Sequence, residues 1–167
     1  LEEMEIDQVK KNYREKRENQ RKLPLAFGLP PRRQKTLDVD DKVRQQIFEE
    51  YWGIGGLSFL AAFKDLPIDG EANQEAMRFI EKKILEIVKD KNVAKKLIPK
   101  HYLGCKRPCS DTNYYESFNC NNVRLVDLTE DPIRHFTETG INTKYNSFDF
   151  DVFVYATGFD AMTGAIK

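Results

Sequence analysis

Lys106 and Arg107 are adjacent cations in the run Gly104-Cys105-Lys106-Arg107-Pro108. A guanidinium stays charged at any working pH and offers a fixed fork of donors, whereas an ammonium is a compact point charge that can lose its proton in a dry site. Together they could hold an anion, although a Lys-Arg pair in a loop is by itself ordinary solvated surface. A second candidate is Ala156-Thr157-Gly158, which follows the apolar residues Val152 to Tyr155. Small residues there permit close backbone approach, and such a turn after a buried strand is common in layered α/β folds. Cys105 and Cys109 are spaced Cys-x-x-x-Cys, but zinc requires four ligands at recognisable spacing, and Cys120 with a distant histidine does not complete a set. Free thiols and no metal are expected, and His135 reads as an ordinary edge residue.

Elements must position these groups, and composition bounds what the elements can be. The 167 residues suffice for one ordinary domain. Lys plus Arg and Asp plus Glu are 27 each, so no global field draws the chain to nucleic acid or an anionic membrane. Three cysteines and no leader pattern point to a reducing, cytoplasmic setting. The longest mostly apolar run, Trp52 to Phe63, carries three glycines and falls far short of the roughly 20 residues a membrane span needs.

Residues 1–35 read as a charged helix followed by a Pro-rich linker. The helix has too few apolar positions to pack, and Pro24, Gly28, Pro30 and Pro31 prevent regular structure after it. Residues 36–99 read as helical. Thr36 or Asp38 is expected to cap a helix to about Trp52, with Val43, Ile47 and Tyr51 on one face and the glycines 53, 55 and 56 at its end. The clearest helix runs from about Glu71 to Lys89, where Ala72, Ala76, Phe79, Ile80, Ile84, Ile87 and Val88 form a stripe interrupted by Lys83. A short helix from Val93 to Ile98 stops before Pro99. Residues 100–167 read as β, with strands expected at Val123–Leu128, Ile133–Thr137, Ile141–Lys144 and Phe150–Tyr155. The last is consecutively apolar, as in a strand buried on both faces of a layered sheet.

Gly104 to Pro108, followed by Asp111, Tyr114-Tyr115-Glu116, Phe118-Asn119, Asn122-Val123 and Val126-Asp127, resembles the flavin-dependent Baeyer–Villiger monooxygenases in order and spacing. Asp151 to Ala161 is similar to that family's Ala-Thr-Gly strand end, and Phe48, Trp52, Gly55-Gly56, Glu71-Ala72-Asn73 and Leu97-Ile98-Pro99 are similar to its helical insertion. The resemblance covers nearly everything from residue 36 to residue 164. It implies an α/β fold that is part of a two-dinucleotide-binding-domain flavoprotein: residues 36–99 as the helical insertion of the NADPH domain, and residues 100–167 as the β-rich end of that domain and its junction to the FAD domain.

The same resemblance implies a reaction in which FAD, NADPH and molecular oxygen convert a ketone to an ester or lactone. Arg107 matches the catalytic arginine, a fixed cation where negative charge develops on oxygen; a preorganised donor of this kind supplies about 3–4 kcal/mol. Lys106 matches the residue that meets the 2′-phosphate of NADPH, and Thr157 and Gly158 match the two-domain junction near the dinucleotides. Asp111, Tyr114 and Tyr115 are expected to be structural, with the tyrosines beneath the Lys-Arg loop.

The chain departs from the family pattern in two respects. Neither the Phe-x-Gly-x-x-x-His-x-x-x-Trp fingerprint nor a Gly-x-Gly-x-x-Gly turn occurs. The expectation is therefore an internal piece of a longer relative that alone binds no FAD, turns over no ketone and unfolds broadly. Two alternatives stand beside it. One is an N-hydroxylating flavin monooxygenase, against which the Lys106-Arg107 block and the helical insertion argue. The other is a non-catalytic α+β interaction module using the basic helix at residues 9–22, a reading weakened by six acids among ten bases in residues 1–35.

Overall fold

The computed structural model describes residues 3–23, 32–106 and 108–158. Two compact units divide between Val123 and Arg124. The first is helical and the second is a small antiparallel sheet, so the chain is a mixture of helices with a three-stranded sheet. None of the described helices is long and apolar enough to cross a membrane.

The charged N-terminal run forms α1 (Glu3–Lys11) and α2 (Tyr13–Arg21), and α2 buries no residue. The sequence reading expects one charged helix here, and two are found; so polar a run gives α2 nothing to pack with. The linker prolines Pro24, Pro30 and Pro31 lie outside the described residues.

Three helices come next, each started by an aspartate. Asp40 caps α3 (Asp41–Ile54) by accepting from the Val43 N–H at 2.9 Å. Asp69 caps α4 (Gly70–Ile87) by accepting from the Glu71 and Ala72 N–H groups. Asp90 caps α5 (Lys91–Leu97) in the same way through Asn92 and Val93. Such caps satisfy orphan amides and are worth about 1 kcal/mol each. The expected cap at Thr36 or Asp38 is corrected to Asp40. Thr36 donates both its backbone N–H and its hydroxyl to the buried Asp65 carboxylate, at 3.0 and 2.8 Å, which ties residues 36–38 into a single 3-10 turn. Its side chain is committed elsewhere and cannot cap. Gly55, at φ 79°, ends α3 in the left-handed region, as the glycine cluster suggested.

The core of this unit is aromatic. Phe48 of α3 meets Phe59, Phe63 and Phe79, each at a 5.3 Å centroid separation, and Trp52 stands edge-on to Phe59 and Phe79. Lys83 interrupts the stripe of α4 without breaking the packing: its ammonium pairs with Glu49 at 2.5 Å and lies 5.5 Å from the centre of the Phe79 ring. A second cluster joins Ile84 and Val88 to Ala94 of α5, with Leu97, Tyr115 and Phe118 packed against it. Tyr115 belongs to a one-turn helix, α6 (Tyr114–Ser117), that periodicity did not reveal.

In the second unit β1 (Ile133–Phe136), β2 (Gly140–Thr143) and β3 (Ser147–Asp149) form an antiparallel meander in the order β1-β2-β3. Gly140 is required by its pairing with Asp149, because a Cβ there would lie 1.8 Å from the Phe148 carbonyl oxygen. Asp131 closes the β2–β3 turn by accepting from the Thr143 hydroxyl, the Tyr145 N–H and the Asn146 amide. Two of the four expected strands therefore appear near their expected places, and β3 is a third that was not expected. Residues 123–128 and 150–155 are not strands, and Val152 and Val154 are 75% and 77% exposed. The physical reason is supply. A strand buried on both faces needs paired edges and a layer on each side, and the described residues of this unit provide neither for residues 150–155.

Candidate functional site

The loop that carries Lys106 begins on the surface of α4. Tyr102 to Cys105 is a β-turn closed by the Cys105 N–H donating to the Tyr102 carbonyl at 3.1 Å. Its third residue, Gly104, has φ +89°, the left-handed value that a type II turn demands at that position. Its second residue, Leu103, is gripped by Asn73 of α4. The Leu103 N–H donates to Asn73 Oδ1 at 2.9 Å, and Asn73 Nδ2 donates to the Leu103 carbonyl at 2.9 Å and the Leu66 carbonyl at 2.8 Å. Asn73 is 5% exposed, so these bonds are sheltered from competing water.

The far side of the segment is held in the same way. Asn119 accepts from the Lys89 N–H at 2.8 Å and donates to the Ile87 carbonyl at 2.9 Å, at the other end of α4. Between these anchors Asp111 accepts from the Tyr114 N–H at 3.0 Å, and Tyr114 stands edge-on to Tyr115 and Phe118. Of the two tyrosines expected beneath the Lys-Arg loop, Tyr114 is exposed and Tyr115 packs on the Ile84–Val88–Ala94 cluster. Burial removes water from its phenol and, with Asp111 and Tyr114 nearby, pushes its pKa above the ordinary tyrosine value.

Lys106 is exposed and forms no ion pair among the described residues. Its ammonium is available to an incoming anion. Arg107, expected to be catalytic, lies outside the described residues. Thr157 and Gly158 are exposed in the second unit, with Gly158 at φ +83°. Cys105, Cys109 and Cys120 are all exposed, and His135 lies in β1 with its Nε2 3.1 Å from the Asn142 amide.

Lys106 directly follows the Tyr102 to Cys105 turn, and an exposed ammonium is a group that can meet an anion. Among the described α-helices none opens on a Gly-x-Gly-x-x-Gly turn, the arrangement that would hold the pyrophosphate of FAD.

The sequence reading named Asn73, Gly104 and Asn119 only among the residues that carry the resemblance and gave none of them a role; Asn73 also lies beside Ala72 in phase with the α4 stripe.

Comparison with known proteins adds what geometry alone does not. No protein-family model matches the chain. Cyclohexanone 1,2-monooxygenase of Acinetobacter sp is 39% identical over 167 residues, which is 98% of this chain and 31% of that protein. A Baeyer–Villiger monooxygenase of Pseudooceanicola batsensis is 39% identical over 143 residues, 84% of this chain and 26% of the relative. Among solved structures, the complex of OTEMO with FAD and NADP has a TM-score of 0.91 at 40% identity, covering 98% of this chain and 31% of the other. The match in sequence and in fold runs through the helices and the sheet alike, and it defines the chain as flavin-monooxygenase sequence. Within that class the chain belongs to the Baeyer–Villiger monooxygenases, and it spans about a third or less of the length of the relatives it matches. The interaction-module alternative is not favoured.

Proposed function

We propose that the whole protein is an FAD- and NADPH-dependent monooxygenase that inserts one oxygen atom beside a ketone carbonyl. The overall balance is ketone, O2, NADPH and a proton going to ester or lactone, water and NADP+. Bound flavin supplies the oxygen activation. This chain's own residues bind and orient. Lys106 meets the 2′-phosphate of NADPH, and Arg107 holds a fixed positive charge where the oxygen and then the carbonyl adduct become anionic. Thr157 and Gly158 form the turn that leads from the coenzyme domain toward the FAD domain.

Residues 36–99 act as the helical insertion of the NADPH domain, and residues 100–167 as its β-rich end. Val152 to Tyr155 would then pair as a buried strand once neighbouring layers are present, which accounts for a consecutive apolar run that is otherwise exposed. The observation that carries the reading is the 39% identity to a cyclohexanone monooxygenase over all 167 residues, together with a loop rigidly mounted on α4 just before Lys106.

The test uses the full-length protein. Arg107→Ala should abolish ketone oxygenation while leaving NADPH binding intact. Lys106→Ala should raise the KM for NADPH about tenfold, equivalent to roughly 1.4 kcal/mol, and spare NADH. Full ketone oxygenation with alanine at 107 would overturn the assignment.

A further inference from the structure

We infer that Asn73 is the positioning residue of the coenzyme loop: by holding Leu103 it sets where Lys106 stands, and so sets the preference for NADPH over NADH. The inference rests on the proposed role of Lys106.

Three observations carry it. First, Asn73 is buried and both faces of its amide are used. It donates to the carbonyls of Leu66 and Leu103 and accepts the N–H of Leu103. An amide is the side chain that offers donors and an acceptor together at this length; aspartate lacks the donors, and glutamine is one methylene too long. Second, the other hydrogen bonds at the loop's entry are exposed. Gln74 reaches the Tyr102 hydroxyl only at 3.5 Å, and His101 Nδ1 lies 3.1 Å from the Tyr102 carbonyl. Neither replaces a part-buried, doubly paired contact. Third, Lys106 is three residues beyond Leu103, so its Cα stays within about 11 Å of the anchor however the intervening residues turn.

Asn119 provides a matched control. From the segment itself it holds the far end to the end of α4, donating to the Ile87 carbonyl and accepting from the Lys89 N–H just beyond the helix, but it lies thirteen residues from Lys106. Its loss should therefore cost stability without moving the lysine.

The experiment measures kcat/KM with NADPH and with NADH in the full-length protein, for Asn73→Ala, Asn119→Ala, Lys106→Ala and the Asn73→Ala/Lys106→Ala double variant. Asn73→Ala should lower the NADPH-over-NADH ratio about tenfold through the KM for NADPH, with NADH changed less than about twofold. Asn119→Ala should lower the melting temperature and leave the ratio where it was. In the Lys106→Ala background, removing Asn73 should change the ratio by less than about twofold, because the two residues act through one contact.

If Asn73→Ala does not fold, Asn73→Asp is read against the same expectation, since it keeps the acceptor for Leu103 and loses both donors. An unchanged ratio in the foldable Asn73 variant overturns the inference. So does an equal loss with both coenzymes, a full additional loss in the Lys106→Ala background, or an equal effect from Asn119→Ala. If Lys106→Ala collapses the ratio while the Asn73 variant is silent, only the positioning role fails. If Lys106→Ala itself leaves the ratio intact, the reading of Lys106 fails and the inference falls with it.

Discussion

Gly104 offers a clean separation of backbone strain from packing. It sits at φ +89°, and a Cβ built there meets nothing within 4 Å, so Gly104→Ala introduces no clash and its whole effect is conformational. Holding an L-residue in the left-handed region costs roughly 1–2 kcal/mol. Alanine also has fewer unfolded conformations than glycine, which returns about 0.4–1 kcal/mol. The net expectation is a loss near 1 kcal/mol, and with a slope of about 2 kcal/mol per molar the urea midpoint should fall by roughly 0.5 M. Trp52 is the only tryptophan in the 167 residues, and it packs on Phe59 and Phe79 in the core of the same unit, so its fluorescence reports that unit alone. Gly104→Asn should cost less than alanine, because asparagine tolerates positive φ, and Gly104→Val should cost more. A shift for alanine below about 0.3 kcal/mol, or valine tolerated as well as asparagine, would refute the reasoning that the turn is held in this conformation.

Two further expectations concern the cores and the sheet. Phe48→Ala removes the ring shared by three aromatic contacts and should cost about 3–5 kcal/mol, whereas Tyr13→Ala on the exposed α2 should stay within about 0.5 kcal/mol; equal midpoints by Trp52 fluorescence would contradict the aromatic core. The second concerns acid. Desolvation acts to raise the Asp131 pKa, but hydrogen bonds from Asn146, Thr143 and the Tyr145 and Lys144 backbone outweigh it and hold the carboxyl below its ordinary value. A folded pKa below the unfolded one means the stabilisation is present above the unfolded value and is lost as the pH falls through the folded one. The sheet should therefore loosen in acid below about pH 4, as read from the Thr143 and Tyr145 resonances, and Asp131→Asn should remove that pH dependence. An identical acid profile in the asparagine variant would contradict this.

What could be read from the sequence divides along the range of the interaction. Helix α4 was legible because its stripe is a local period, and even Lys83 fitted once its stem is allowed to lie along Phe79 and its head to reach Glu49. The start of α3 was misplaced by a few residues because Thr36 is claimed by Asp65, twenty-nine positions away. Periodicity cannot see that competition. The asparagine anchors were hidden for the same reason: Asn73 and Leu103 are thirty residues apart, and Asn119 and Ile87 are thirty-two. The apolar run at 152–155 shows the opposite limit. Its pattern states what the strand requires, two covered faces, but not whether neighbouring layers supply it.

These anchors also bear on which part of the loop can be accurate. Helix α4 rises about 21 Å between residues 73 and 87, while the sixteen steps from Leu103 to Asn119 could span about 54 Å if extended. The segment therefore has more than twice the length it needs, and the far anchor cannot fix the position of anything near the start. A charge that must meet a phosphate within a few tenths of an ångström has to stand close to the near anchor, where the chain has had no room to wander. Lys106 and Arg107 stand three and four residues past Leu103, directly after a turn locked by Gly104. If Asn73 positions Lys106 as inferred, the accuracy of that lysine depends on α4 remaining packed against the aromatic core. Mutations such as Phe48→Ala should therefore weaken coenzyme selectivity only to the extent that they unfold α4.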